Sequence, residues 1–199
     1  MLALLDMTDA INGNVCINPK ESERMVLGIV IDIHSHNRAA IVAHPISSRI
    51  HMIHGSSIDL ETIDQAREIA GKYERILVCL DSNHTHEHVL AELKAYASLV
   101  TPGSYCVVFD TIVEDMPDNV YPDRPWAVGN NPKTAVKEYL HTHPEFEINS
   151  SLQNTLMITV APDGWLKRAR QYLHLYRSRI RHFNPTLPNA SCIRNYPES

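Results

Sequence analysis

The side chains best suited to chemistry in this 199-residue chain directly follow short apolar runs. Asp81 follows the run Arg75–Leu80, and Asp110 follows the run Ser104–Phe109. If the two runs are neighbouring parallel strands, both carboxylates lie at the same edge of a sheet. Carboxylate oxygens are ligands for a hard cation such as Mg²⁺, so the pattern predicts a metal site at Asp81 and Asp110. On position alone, each aspartate could instead cap the loop or helix that follows it.

A cluster of histidines lies close to the first of these aspartates, at His84, His86 and His88. His84 is near enough to Asp81 in sequence to act as a general base or to contact a substrate. His84 and His88 also have the H-x-x-x-H spacing of zinc ligands on a helix. No third ligand stands at a motif spacing, however, so the sequence favours His84 as the catalytic residue and leaves zinc as the weaker alternative.

Strand-like and helix-like segments alternate along most of the chain. The predicted strands are Met25–Ile33, Arg49–Ile53, Arg75–Leu80 and Ser104–Phe109. The predicted helices are Asn37–His44, Leu60–Ala70, His86–Val100 with Thr85 as its cap, and a helix that begins at Pro132 after the cap Asn131 and runs through Leu140. This alternation is typical of an α/β fold with an open, mostly parallel sheet, in which ligands bind beyond the carboxyl ends of the strands.

The C-terminal part of the chain has a different pattern. The segment Thr111–Asn131 has three prolines and four acids, and it is predicted to be a long excursion over the carboxyl edge of the sheet. The runs Phe146–Leu152 and Thr155–Val160 are predicted to pair as a C-terminal antiparallel hairpin. A basic helix over Leu166–His182 and a loose tail are expected to follow. The chain is therefore divided into an α/β domain over residues 1–168 and a basic helix and tail over 169–199.

Composition excludes several classes of protein. Before residue 165 the chain has 11 Lys and Arg residues against 22 Asp and Glu residues, a net charge of −11, and the rest is basic. An acidic body argues against nucleic acid as the main partner, because phosphate neutralisation needs clustered Lys and Arg. The longest apolar runs are far shorter than a membrane span. The four cysteines lack C-x-x-C spacing, which is typical of a reducing, cytoplasmic environment.

Seven blocks of sequence then carry a resemblance to a known family. They are VLGIVIDI at 26–33, HNR at 36–38, LVCLDSNH at 77–84, HEHVLAEL at 86–93, YASLVTPGSY at 96–105, GNNPKTA at 129–135 and APDGWLKR at 161–168. In this order they resemble the cephalosporin hydroxylase / rhamnosyl O-methyltransferase family. The resemblance implies a Rossmann-like fold, S-adenosylmethionine and Mg²⁺ as cofactors, and methylation of a hydroxyl group. The acceptor would be a sugar, a glycolipid (a role in lipid biosynthesis) or a small secondary metabolite.

The resemblance also implies roles for individual residues. A metal at Asp81 and Asp110 would lower the pKa of the acceptor hydroxyl, and His84 would act as the base or contact the substrate. Asp32 would bind the cofactor ribose, and Ser57 would face the adenine. A hydroxylase, which the family name also suggests, has little support, because no two-His-one-carboxylate iron motif is present at a recognisable spacing.

The sequence departs from the family pattern at three places. The glycine-rich loop after the family's first strand has no counterpart, so we expect the first strand to be missing and residues 1–11 to be a remnant of the following helix. Val30 and Ser56 stand where the family usually has acids, and Phe109 replaces one of three expected carboxylate ligands. A second hypothesis is therefore an inactive family member that acts as a binding or structural protein. A missing strand would also let another copy of the chain pair with the sheet.

Overall fold

The computed structural model describes residues 2–5, 28–31, 35–45, 47–118 and 120–170, with backbone only at 2–5 and 28–30. These residues form a mixed α/β fold around a seven-stranded sheet with the strand order β3-β2-β1-β4-β5-β7-β6. The strands are β1 Leu2–Leu5, β2 Gly28–Ile31, β3 Ile50–Ile53, β4 Leu77–Leu80, β5 Tyr105–Val108, β6 Phe146–Ile148 and β7 Trp165–Arg168. The helices are α1 Ser35–Val42, α2 Leu60–Ala70, α3 His86–Tyr96, α4 Pro132–Thr142 and α5 Ser150–Leu156. Within these ranges, no helix combines the length and apolarity that crossing a membrane requires.

The prediction of a mostly parallel sheet is wrong for the strands that the structure describes. Only the pairs β2–β3 and β4–β5 are parallel. Strand β1 is antiparallel to both β2 and β4, and β7 is antiparallel to both β5 and β6. Because β2 and β4 both run opposite to β1, strands β2 to β5 still point the same way. Their carboxyl ends therefore share one edge of the sheet, as the sequence predicts.

The expectation that residues 1–11 are a helix remnant is wrong for the part of them that the structure describes. Leu2–Leu5, part of the expected helix remnant, forms a strand at the centre of the sheet. Leu2 pairs with Ile31 on one side and with Leu80 on the other. The ladder on both sides of β1 is filled by backbone of the same chain, so the position between β2 and β4 is not open to another copy.

Helices α2, α3 and α4 supply most of the side chains that cover the sheet. Helix α2 has the predicted bounds and buries its predicted face, including Ile63 and Ala66. Helix α3 ends earlier than predicted, at Tyr96, and a short turn continues to Leu99. Its Leu93 and Tyr96 side chains are completely buried against the core. The residues that follow β4 are thereby attached to a rigid, well-packed helix.

The C-terminal hairpin is antiparallel as predicted, but its second strand is a different segment. Strand β6 pairs with Trp165–Arg168, where the basic helix was expected to begin. The predicted strand Thr155–Val160 is not one, and Ser150–Leu156 is helical because Asn149 accepts a hydrogen bond from the Leu152 amide and caps the helix. The remainder of the predicted basic helix and tail, from residue 171 onward, lies outside the described residues.

The start of α4 agrees with the prediction that Asn131 caps this helix. The Asn131 side chain accepts hydrogen bonds from the amides of Lys133 and Thr134, and Thr134 completes a capping box. Glu114 extends this cap, since one of its oxygens accepts hydrogen bonds from the Gly129 amide at 2.8 Å and the Asn131 side chain at 2.5 Å. Thr85, in contrast, occupies the cap position of α3 without a side-chain cap bond.

We expect Glu114→Gln to destabilise the fold by roughly 1–2 kcal/mol at pH 7, because it removes charge-assisted hydrogen bonds. Burial acts to raise the pKa of Glu114, but hydrogen bonds from Gly129 and Asn131 lower it overall. Since the folded-state pKa lies below the unfolded one, this stabilisation is present above the unfolded pKa and is lost as the pH falls through the folded pKa. Urea unfolding at pH 7 and in acid measures both effects. The exposed Glu74→Gln is the control, and equal stability of Glu114→Gln and wild type at pH 7 would contradict the prediction.

Candidate active site

A cleft of about 600 Å³ lies beyond the carboxyl ends of the central strands. Ile31 ends β2 at this cleft, residues 55–57 line it after β3, and residues 81–84 line it after β4. Parallel strands end with their carbonyl groups at one edge, and the connections there form a crevice suited to ligands. The volume is within the range of small-molecule sites.

Three of the predicted site residues come together at this edge of the sheet, and two of them, Asp81 and His84, line the cleft. Asp81, His84 and Asp110 each offer a ligand atom, and these atoms all lie within 4.8 Å of one another. His84 Nε2 is 3.2 Å from Asp110 Oδ2. The proximity follows from the parallel pairing of β4 with β5, which places the residues after both strands side by side. The geometry expected from the sequence is therefore present, with two carboxylates and one imidazole in a single group.

Asp110 has an unusual backbone conformation for a residue with a side chain. Its φ is 54°, in the left-handed region, where aspartate and asparagine occur more often than most residues. It precedes a short helical turn at Thr111–Asp115 but makes no side-chain cap bond to it, so the capping alternative is not realised at this residue. Burial raises the pKa of Asp110, His84 lowers it and Asp81 raises it, with an upward net shift. A cation bound here would relieve the repulsion between the two carboxylates.

The zinc alternative is not supported by the positions of the histidines. The group of potential metal ligands contains His84 but not His88 among the described residues. The His88 ring instead lies 3.1 Å from Ser57 Oγ and 3.2 Å from Ser82 Oγ. His86 connects α3 to α4 through Thr134 and Glu138. The three histidines thus serve three different parts of the structure.

Of the two predicted cofactor contacts, Ser57 is among the described residues and Asp32 is not. Ser57 lines the cleft although it is only 5% exposed. Its carbonyl accepts a 2.5 Å hydrogen bond from the Tyr96 hydroxyl, which holds the loop after β3 against α3. Asp32 lies outside the described residues, and in the sequence it directly follows Ile31, which lines the cleft.

Sequence reasoning missed the residues that the long excursion brings to the cleft. Arg124 and Trp126 line it, and the Trp126 ring makes an edge contact with His84 at a centroid distance of 5.3 Å. Tyr121 packs against the same ring at 4.8 Å, and the Arg124 guanidinium lies 5.9 Å from its centre. The excursion itself was predicted to cross the carboxyl edge of the sheet. The presence of aromatic and basic residues within this acidic segment was the signal that could have indicated a contribution to the cleft.

Comparison with known proteins decides the family. A sequence model of the family described as Rhamnosyl O-methyltransferase/CmcI matches residues 2–169. The chain belongs to this family. Its similarity to rhamnosyl O-methyltransferases is also direct: 32% identity over 118 residues to the protein from Mycobacterium tuberculosis H37Rv, and 33% over 107 residues to that from Mycobacterium leprae.

The Rhamnosyl O-methyltransferase/CmcI match covers nearly all of the described residues, whereas the similarity to individual relatives covers less. The two alignments include 58% and 53% of this chain, but 46% and 44% of the Mycobacterium tuberculosis and Mycobacterium leprae proteins. The chain therefore aligns with about half the length of these curated relatives. No solved structure matches it. The family resemblance inferred from the sequence blocks is confirmed, and the mixed α/β fold is consistent with a methyltransferase-like fold.

Proposed function

We propose that this chain is an S-adenosylmethionine-dependent, Mg²⁺-assisted O-methyltransferase that acts on a hydroxyl group of a sugar, a glycolipid or a small secondary metabolite. The observation that carries the proposal is the group of Asp81, His84 and Asp110 at the carboxyl edge of the sheet, in a member of the Rhamnosyl O-methyltransferase/CmcI family. The group offers charge and a proton acceptor at the place where a ligand in the cleft would react.

The cleft supports the cofactor part of the proposal by its position and its donors. Its volume of about 600 Å³ suits a molecule of nucleoside size. Ser57 would contact the adenine end, and Asp32 would bind the ribose hydroxyls as acids do in dinucleotide-binding folds. S-adenosylmethionine supplies an electrophilic methyl group when bound.

The acidic group supports the metal part of the proposal. Carboxylate oxygens of Asp81 and Asp110 would hold Mg²⁺, which binds proteins through a few carboxylates and keeps several waters. Phe109 offers no ligand atom at the position of the family's further carboxylate, and water would take its place. The cation would supply positive charge that lowers the pKa of the acceptor hydroxyl.

His84 is suited to take the proton that the acceptor loses. Its Nε2 atom lies 3.2 Å from Asp110 Oδ2, so this ring nitrogen faces the carboxylate, and Nδ1 would be the proton acceptor. S-adenosylmethionine would supply the methyl group and leave as a neutral thioether, so the proton that this chain must move is the one on the acceptor hydroxyl. The hydroxyl proton goes to His84.

Trp126 would form part of the acceptor side. Its ring contacts His84 edge-on, so an acceptor with its hydroxyl at His84 would place its ring near Trp126. Aromatic faces pack well against the apolar C–H faces of sugar rings. The relatives are named rhamnosyl O-methyltransferases, which makes a rhamnosyl hydroxyl the first acceptor to examine.

Two experiments test the proposal. The first is calorimetric titration of the chain with S-adenosylmethionine, with and without Mg²⁺. The second detects methyl transfer to methyl α-L-rhamnopyranoside by mass spectrometry. We expect cofactor binding and Mg²⁺-dependent transfer. His84→Gln should retain cofactor binding but lose about 10²- to 10⁴-fold in rate, the usual range for a general base. The exposed His141→Gln is the matched control. No heat at millimolar cofactor would contradict the proposal and favour the inactive family member.

A further inference from the structure

A series of neighbouring polar side chains leads from the cleft into the core beneath it. Glu92, on α3, is completely buried, and its Oε1 atom accepts a 2.7 Å hydrogen bond from the Ser82 hydroxyl. Ser82 Oγ is 3.2 Å from His88 Nε2, and that nitrogen is 3.1 Å from Ser57 Oγ. Ser57, His88 and Ser82 line the cleft, whereas Glu92 does not reach it.

The buried carboxylate of Glu92 sets the direction of each hydrogen bond in this series of side chains. A carboxylate only accepts, and Ser82 has one hydroxyl proton, which it gives to Glu92. Ser82 can therefore only accept from His88, so His88 Nε2 must carry a proton. A protonated ring nitrogen has no lone pair, and Ser57 cannot donate to it. The Ser57 oxygen instead shares this single Nε2 proton with Ser82 as a second acceptor, and the Ser57 proton remains available to a ligand.

We propose that Glu92 is a positioning residue that acts through Ser82 and His88 to make the Ser57 hydroxyl a hydrogen-bond donor toward the cleft. The inference rests on the proposed function, since the ligand atom that receives this bond is an unprotonated ring nitrogen of the adenine of S-adenosylmethionine. Because Ser57 donates, the site favours a ligand with an acceptor atom at this position over one with a donor atom. Two donors facing each other would both lack a hydrogen-bond partner.

Two further observations support a positioning role for Glu92 and helix α3 at Ser57. Helix α3 also holds the Ser57 carbonyl through Tyr96, and burial raises the pKa of this phenol, which keeps it protonated as a donor. The second oxygen of Glu92, Oε2, has no hydrogen-bond partner among the described residues. A buried carboxylate with one unpaired oxygen costs stability, so a purely structural role would be filled better by an apolar side chain.

The proton order is tested first in the ligand-free protein. In ¹⁵N NMR spectra of histidine-labelled protein, the His88 signals are identified by their loss in His88→Gln. We expect Nε2 to be protonated in the wild type, and Glu92→Gln to shift His88 toward the Nδ1–H tautomer, because the new amide can donate to Ser82. Exclusive Nδ1–H protonation of wild-type His88 would overturn the inference.

Binding of S-adenosylhomocysteine, measured by calorimetry, tests the adenine contact. We expect about tenfold weaker binding for Glu92→Gln and for Ser57→Ala, and no further loss in the double variant, since both remove the same bond. Ser82→Ala removes the hydroxyl between Glu92 and His88, leaves only the longer 3.6 Å contact of His88 Nε2 with Glu92 Oε1, and should weaken binding in the same direction if Glu92→Gln fails to fold. Glu87→Gln, exposed on the same helix, is the control.

The two failures are distinguishable. If the wild type has the expected His88 protonation but binds no S-adenosylhomocysteine, the proposed function and the adenine contact fall together. If it binds S-adenosylhomocysteine and Glu92→Gln binds equally well, this inference alone is overturned.

Discussion

Asp81→Ala is expected to abolish Mg²⁺ binding and, with it, Mg²⁺-dependent methyl transfer. The three potential ligand atoms lie within 4.8 Å of one another, and two of them are carboxylate oxygens, so removing either carboxylate leaves one anionic ligand. Mg²⁺ sites in proteins depend on these few carboxylates, because the cation dehydrates reluctantly and gains little from neutral ligands. We expect a loss of about 30- to 1,000-fold in affinity, from the roughly 2 to 4 kcal/mol that a close unlike-charge contact contributes near a protein surface.

The second ligand is best tested with Asp110→Asn. Alanine at this position would add strain, because Asp110 has a left-handed φ of 54° and asparagine tolerates that conformation better. The asparagine side chain would keep the shape of the aspartate and lose its charge, so the expected result is the same loss of Mg²⁺ affinity in a folded protein. Calorimetric Mg²⁺ titration and circular dichroism measure the two properties separately.

The matched control for both variants is Asp123→Ala. Asp123 is an exposed acid next to Arg124 in the loop that carries Trp126, so its removal changes the net charge by the same amount without touching the ligand group. It should bind Mg²⁺ like the wild type. Wild-type affinity in Asp81→Ala would remove Asp81 from the site, and an equal loss in Asp123→Ala would show a general charge effect.

Gly164→Ala is expected to have the largest effect on stability, a loss of about 3 kcal/mol, from overpacking against backbone. A Cβ atom on Gly164 would lie 2.1 Å from the carbonyl oxygen of Val108, at the end of β5. The Gly164 carbonyl also accepts a 2.9 Å hydrogen bond from the Val108 amide. The clash is with the backbone of a central strand, which cannot move aside as a flexible side chain would.

Urea unfolding measures this loss, and Gly71→Ala is the control. A Cβ on Gly71 would be 3.4 Å from its nearest atom, and its φ of −60° suits any residue. Gly71→Ala should therefore be neutral or stabilise by up to about 1 kcal/mol. Because Val108 lies two residues before Asp110, Gly164→Ala should also weaken Mg²⁺ binding. Stability within about 0.5 kcal/mol of the wild type would contradict the clash.

Much of the site could be predicted from local sequence. Asp81 and Asp110 each follow an apolar run, and the parallel pairing of β4 with β5 places them together with His84. Helix α2 and the Asn131 cap were also predictable, since helical periodicity and capping depend on residues within a few positions of one another.

Features that depend on distant partners could not be read in this way. The run Leu2–Leu5 was expected to be helical, and it is a strand because it pairs on both sides with β2 and β4, which are distant in sequence. Likewise, nothing local in Trp165–Arg168 marks it as the partner of β6, and its position depends on the close approach of Gly164 to Val108. Glu92 accepts a hydrogen bond from Ser82, which lies outside helix α3. Trp126 contacts His84, which is distant in sequence and follows β4.

The sequence alone therefore specified the chemistry-bearing residues, most of the helices and strands that carry them, and the family. The strand at Leu2–Leu5, the identity of the last strand, the contact of Trp126 with His84 and the side-chain contacts of Ser57 required the folded chain. The physical reason is that local periodicity and capping act over a few residues. Strand direction and hydrogen-bond polarity instead depend on which distant groups the packed core brings within about 3 Å.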